Sequence, residues 1–307
     1  MLAVPSLTHR LLTRAIPIVR RSSEVTDPEQ TRRDVLAGQA EVEVAPSGRA
    51  VAGCDVRELD GYPFPVFEVL PRGESPERSV LYLHGGGFVS GIDRFHWRYV
   101  AALTRAGGLR LVVPAYPLTP THTWRDCHEP LRDLFEQTAI ASPGGVTLMG
   151  DSAGGGLALA LAQQIVHRPG PQPTHLVLIS PWVDLAGTTP GTEDVRRADP
   201  WLKLSKLRLY GAWWAGDDDV ERPEVSPLHG DFTGLPRTMV LCGTRDLLLP
   251  QVREAVRRAT AAGVPVTYRE EEGLLHVYPI LPVPEARPAL RDVLRFLGVE
   301  ERQGTSR

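Results

Sequence analysis

The segment Val146-Thr147-Leu148-Met149-Gly150-Asp151-Ser152-Ala153-Gly154-Gly155-Gly156 constrains this chain more than any other. An apolar run enters a tight turn and leaves as an alanine- and leucine-rich stretch, so the pattern reads strand, turn, helix. At the turn stands G-x-S-x-G. A serine held at the top of a sheet in such a turn is crowded by neighbouring backbone. Small residues two positions before and two after it relieve the crowding. The helix beginning at Ala153 aims its free N–H groups at the same point and favours negative charge there. A glycine-rich turn of this kind also suits a phosphate, but no lysine of the phosphate-loop type follows it.

A second motif lies upstream. Ser79-Val-Leu-Tyr-Leu-His-Gly-Gly-Gly-Phe88 is a strand running straight into H-G-G-G. Three glycines expose backbone amides without Cβ interference. Such amides stabilise a carbonyl oxygen that gains charge in a transition state. Gly86, Gly87 and Ala153 are the expected donors, with His84 bracing the loop or serving as an ordinary structural histidine.

A serine hydroxyl needs a base within hydrogen-bond reach, and the base needs an orienting carboxylate. His276, in Glu272-Gly-Leu-Leu-His-Val-Tyr278, follows an expected strand near the C-terminus. Asp246, at the end of Thr238-Met-Val-Leu-Cys-Gly-Thr-Arg-Asp246, follows the preceding one. The order serine, acid, histidine points to Ser152, Asp246 and His276. A lone aspartate after a strand is also a common helix cap. Glu270, Glu271 and Glu272 compete for the acid but read as solvated charge. His167, His175 and His229 do not follow a strand end after the acid.

Strand-like and helix-like segments alternate from residue 41 onward, which implies an α/β architecture. Strands are expected at 41–45, 51–59, 66–69, 79–83, 110–113, 145–149, 175–179, 238–241 and 266–270. The later ones are continuously apolar, as parallel strands buried on both faces should be; the first few carry charge and suit an antiparallel edge. Helices are expected at 94–106, 125–141, 153–166, 250–262 and 285–297. Two regions break the alternation. Residues 1–40 are expected to form an N-terminal cap segment and 185–235 a cap-forming insertion, around a catalytic domain of 41–184 and 236–300 with a tail at 301–307. Trp201, Trp213 and Trp214 in the insertion serve either a cap or plain packing.

Composition narrows the partners. The 307 residues are 42% hydrophobic and 23% charged, with a net charge of −3, which gives no sign of nucleic-acid binding. Lys203 and Lys206 are the only lysines, and the arginines look scattered along the sequence. Cys54, Cys127 and Cys242 are odd in number and widely spaced, so a zinc site or disulfide framework is not expected, and a cytoplasmic setting is. The N-terminal stretch is interrupted by Pro5, His9, Arg10, Arg14 and Pro17. It reads as an amphipathic helix or an organelle-targeting segment, not a signal peptide, and no stable membrane insertion is expected.

Taken together, His84-Gly85-Gly86-Gly87-Phe88, Gly150-Asp151-Ser152-Ala153-Gly154-Gly155, Ser180-Pro-Trp-Val-Asp-Leu185, Ser226-Pro-Leu228 and the surroundings of Asp246 and His276 resemble the hormone-sensitive-lipase-like family of α/β hydrolases. The resemblance spans about residues 80 to 280. It implies an α/β-hydrolase fold with a mostly parallel eight-stranded sheet, flanking helices and a helical cap. It also implies no cofactor and no metal, and hydrolysis of small-molecule carboxylic esters, usually with short acyl chains. The expected enzyme is a serine carboxylesterase acting through an acyl-enzyme on short- to medium-chain esters. An amidase, lactonase or acyltransferase would use the same triad, and a non-catalytic small-molecule receptor would have lost part of it. An exposed edge strand leaves a homodimer open. One departure stands out. The family's tyrosine-arginine-leucine-alanine-proline-glutamate stretch is here Tyr116-Pro-Leu-Thr-Pro-Thr121, without the arginine or the glutamate.

Overall fold

The computed structural model describes residues 4–20 and 23–302. Parts of the expected cap segment (1–3 and 21–22) and most of the expected tail (303–307) lie outside the described residues.

Eight strands form one sheet: β1 Cys54–Leu59, β2 Val66–Pro71, β3 Ser79–Leu83, β4 Arg110–Pro114, β5 Val146–Asp151, β6 His175–Ile179, β7 Arg237–Arg245 and β8 Val266–Leu275. Their spatial order is β1-β2-β4-β3-β5-β6-β7-β8. β2 runs antiparallel to both its neighbours, and every other pairing is parallel. The charged early strands thus make the antiparallel edge, as their composition implied.

The parallel strands bury both faces, and the two-residue period sorts their side chains between two cores. Leu81, Leu83, Leu148, Leu178 and Val240 face one side, under helices α4 (Arg125–Ile140), α5 (Ser152–Val166) and α8 (Leu249–Ala261). Val80, Tyr82, Met149, Val177 and Leu241 face the other, under α3 (Arg94–Gly107) and α9 (Ala286–Phe296). Helices α1 (Leu7–Val19) and α2 (Pro28–Ala40) precede the sheet, while α6 (Thr192–Val195) and α7 (Leu204–Ala215) lie between β6 and β7.

Two expectations need correction. No strand forms at 41–45; Val42 and Val44 instead pack beside Gly91, where a Cβ would meet their Cγ1 atoms at 3.2 and 3.8 Å. The expected 51–59 strand starts only at Cys54, after a turn. β7 and β8 are also longer than their apolar stretches. β8 is an edge strand with one face toward water, so Glu270, Glu271 and Glu272 continue it without cost to the core.

Candidate active site

The register of the sheet determines which loops meet. β3 pairs with β5 so that Leu83 lies opposite Gly150, and the H-G-G-G loop emerges beside the G-x-S-x-G turn. Close packing there demands glycine. A Cβ on Gly150 would strike the carbonyl of Gly154, and one on Gly154 would strike the carbonyls of Leu83 and His84. Ser152 itself has φ +52°, a conformation that non-glycine residues adopt rarely and that raises its hydroxyl above the sheet.

β7 ends at Arg245 and β8 at Leu275, so Asp246 and His276 each begin a loop at the same sheet edge as Ser152. His276 Nε2 lies 2.9 Å from Ser152 Oγ, and His276 Nδ1 lies 2.9 Å from Asp246 Oδ2. Asp246 and His276 are buried, whereas Ser152 is half-buried and reachable. Asp246 Oδ1 accepts the Leu248 amide at 2.9 Å, which fixes the carboxylate. Burial alone would lower the His276 pKa; the negative charges of Asp246, Asp199 and Asp151 outweigh it and raise the pKa above the ordinary value.

Gly86 (φ +117°) and Gly87 (φ +63°) line the cavity in front of Ser152. Among the described residues, the amides of Gly86, Gly87 and Ala153 donate to no protein acceptor. His84 Nδ1 instead donates to Gly85 O at 2.7 Å, and its ring stacks on Tyr116 at 4.4 Å. Burial, then the nearby charge on His96, lowers its pKa to about 4, so it is a neutral brace.

A profile of the α/β-hydrolase fold matches residues 80–280. The acetyl-hydrolase of Streptomyces hygroscopicus is 35% identical over 237 residues, which are 74% of this chain and 77% of that one. This chain belongs to the α/β-hydrolase family. The esterase LipU of Mycobacterium tuberculosis is 33% identical over 247 residues, 75% of this chain and 80% of its own. The crystal structure of an esterase from the bacterial hormone-sensitive lipase family is similar with a TM-score of 0.81 at 26% identity, covering 96% of this chain and 98% of that one. Among α/β hydrolases, then, this is a hormone-sensitive-lipase-like enzyme of the carboxylesterase and lipase kind.

The hydrolase holds its loops with residues that the sequence did not single out. Asp151, next to Ser152, is fully buried. Its Oδ1 accepts the Tyr82 hydroxyl at 2.6 Å and the Gly85 amide at 3.0 Å. On its other side stands His96, whose Nε2 is 3.4 Å from Asp151 Oδ2 and whose Nδ1 is 2.9 Å from Asp93 Oδ1. Burial alone would lower the His96 pKa, but Asp151 and Asp93 reverse this and raise it to about 10. The imidazolium is therefore charged at neutral pH and ties the H-G-G-G loop, through Asp151, to the start of α3. Asp199 is a second omission. It is buried near Asp246, accepts the Leu247 amide at 2.8 Å, and has its pKa raised to about 6 by burial and by Asp246. The only hint of His96 in the sequence was its spacing from Asp93, three residues later at a helix start; Asp199 lies in an irregular stretch with no such signal.

The remaining motif residues of the hydrolase hold the walls. Ser180 Oγ accepts the Val277 amide at 3.0 Å and so fixes the residue after His276. Trp182 N–H donates to Ser152 O at 2.9 Å. Ser226 Oγ accepts the Leu185 amide at 2.8 Å. Where the family's arginine and glutamate are missing, Thr119 N–H donates to Phe88 O at 2.9 Å. Gln39 Nε2, from α2, donates to Val89 O at 3.0 Å and Thr119 O at 2.8 Å. The departure at Tyr116–Thr121 is thus bridged by backbone and by a glutamine.

The cavity over Ser152 is about 270 Å³, walled by Trp201, Leu202, Leu207 and Tyr210 from one segment and by Ile280 and Leu281 from another. Trp201 stands edge-on to His276 at 5.5 Å. Among the described residues, no group of three or more histidines, cysteines or acidic residues is placed to hold a metal ion, and no helix is long and apolar enough to cross a membrane.

Proposed function

We propose that this esterase works through Ser152, His276 and Asp246 and an acyl-enzyme. Ser152 Oγ attacks the ester carbonyl as His276 Nε2 takes its proton, and Asp246 orients the imidazole and balances its positive charge. The amides of Gly86, Gly87 and Ala153 receive the developing oxyanion. The alcohol leaves with the proton from His276. Water, activated by the same imidazole, then releases the acid and restores Ser152. The observation that carries this reading is the placement of His276 at 2.9 Å from both Ser152 Oγ and Asp246 Oδ2.

The substrates in this reading are esters of short to medium acyl chains. A cavity of about 270 Å³ supports a small acyl group, as does the acetyl-hydrolase relative. In the same reading, the first forty residues and the 185–235 segment form the cap, since Arg20, Lys206, Leu207 and Tyr210 line the cavity from those two stretches. The cysteines Cys54, Cys127 and Cys242 are unpaired and buried, which supports a reducing, cytoplasmic setting. The test is a profile of hydrolysis over 4-nitrophenyl esters of increasing chain length, with Ser152→Ala as control. The proposal expects the highest kcat/KM among short to medium chains and loss of turnover in the variant. Equal rates for long chains would overturn the substrate class, and full turnover by Ser152→Ala would overturn the nucleophile.

A further inference from the structure

Helix α1 carries apolar residues on both faces: Ile16 and Leu12 pack inward against a cluster of Leu275, Leu281 and Val283, yet a second apolar row is left outside. Its inner face carries His9, Thr13 and Ile16, while Leu7, Leu11 and Ile18 are 65%, 55% and 80% exposed. The spacing of these three places them in one stripe along the outer face. Single exposed apolar residues are ordinary; a continuous stripe on a firmly held helix is not. The helix is firmly held. Ser6, its N-cap, donates its amide to Glu285 Oε1 at 2.6 Å, and His9 Nε2 accepts the amide of Leu275, next to His276, at 3.2 Å.

Cations flank the stripe on both sides. Arg10 and Arg14 are exposed along one edge, and neither pairs with a carboxylate among the described residues. Along the other edge, Thr8 borders a groove of about 680 Å³ lined by Arg49, Arg98, Arg105 and Arg287 and by no acidic residue. In a chain with a net charge of −3, this face is locally cationic. Phe95, Ile280 and Leu281 line both this groove and the cavity over Ser152, and Arg20, just past the end of α1, reaches that cavity too. The face therefore adjoins the mouth of the site.

We propose that this face docks the enzyme on an anionic lipid surface, with Leu7, Leu11 and Ile18 entering the headgroup boundary and the flanking arginines meeting lipid phosphates. An apolar stripe between arginines is what such a surface binds, by buried apolar area and by attraction to anionic headgroups. A second copy of the chain would present the same six arginines to this face, so charge argues for lipid over self-association.

The test is co-sedimentation of the full chain with vesicles of phosphatidylcholine alone and of phosphatidylcholine mixed with phosphatidylglycerol. The wild type should pellet with the mixed vesicles, weakly with phosphatidylcholine alone, and less as salt rises. Arg49→Gln/Arg98→Gln/Arg287→Gln should weaken binding by about fivefold for each arginine removed. Leu7→Ser/Leu11→Ser/Ile18→Ser should release the protein from both vesicles. Both variants change exposed residues and should hydrolyse a dissolved short-chain ester at the wild-type rate, which shows that they are folded. Wild-type protein that stays in solution with the mixed vesicles overturns the proposal, as does equal pelleting of all three proteins. A dimer in sedimentation velocity that Leu7→Ser/Leu11→Ser/Ile18→Ser converts to monomer also overturns it, because the stripe is then an interface between copies.

Discussion

Nε2 of His96 lies 3.4 Å from Oδ2 of Asp151, the residue that immediately precedes Ser152. The pair is buried, and Asp151 also accepts the amide of Gly85 in the H-G-G-G loop. Removing the imidazole leaves a buried carboxylate unbalanced, which costs about 3–5 kcal/mol in comparable pairs. His96→Ala should lose stability on that scale in urea unfolding at pH 7, and kcat should fall with it because the loop is no longer held.

The same pair gives a pH dependence with a definite sign. The folded-state pKa of His96 is raised to about 10 from an ordinary value of 6.5. Its contribution is therefore complete below about pH 6.5 and lost as pH rises through about 10. Unfolding midpoints of the wild type should drop between about pH 6.5 and 10 by more than those of His96→Ala.

At the base, the sign is set by Asp246. In the proposed mechanism His276 must be neutral to accept a proton, and its pKa is raised because nearby carboxylates outweigh burial. The acid limb of the kcat/KM profile should therefore fall at a pH above that of an ordinary histidine. Asp246→Asn should move that limb to lower pH and reduce kcat by roughly 10⁴-fold, as loss of the orienting carboxylate does elsewhere.

Backbone crowding at the turn makes a sharper steric prediction. Gly154→Ala would drive a Cβ into the carbonyls of Leu83 and His84, and neither strand end can yield without moving the site. Overpacking of this kind costs about 1–3 kcal/mol or more. The variant should melt earlier than wild type and hydrolyse esters far more slowly, whereas Gly48→Ala, where a Cβ meets nothing within 4 Å and the backbone is not left-handed, should keep its activity.

Tyr210 forms part of the cavity wall and lies over Gly87. Tyr210→Ala should shift the preferred 4-nitrophenyl ester to a longer acyl chain. Each newly accommodated methylene is worth about 0.8 kcal/mol, roughly fourfold in kcat/KM.

What the sequence revealed follows from where information is local. Ser152, Asp246 and His276 were visible as candidates because each follows a strand-like stretch, in the order serine, acid, histidine, and because glycines flank Ser152 in a short motif. The inner parallel strands were visible because both-face burial leaves continuous apolar runs, whereas β1 and β8, at the two edges, alternate and carry charge. The segment at 41–45 misled because Val42 and Val44 alternate with glutamates in a strand-like way, while their actual partner is a glycine nearly fifty residues on. His96, on α3, and Asp151, at the end of β5, meet only because β3 and β5 pair side by side, and nothing near either residue announces the other. Periodicity marked α1 as amphipathic but could not say that Leu7, Leu11 and Ile18 stay exposed.

The most direct test of the central claim is the intact mass of the enzyme after treatment with a fluorophosphonate, followed by peptide mapping. The account predicts one adduct per chain, on Ser152, and none on Ser152→Ala. It also predicts sharply slowed labelling of His276→Ala. A wild-type enzyme that hydrolyses esters yet takes up no label, or that carries the label on another residue, would contradict the account.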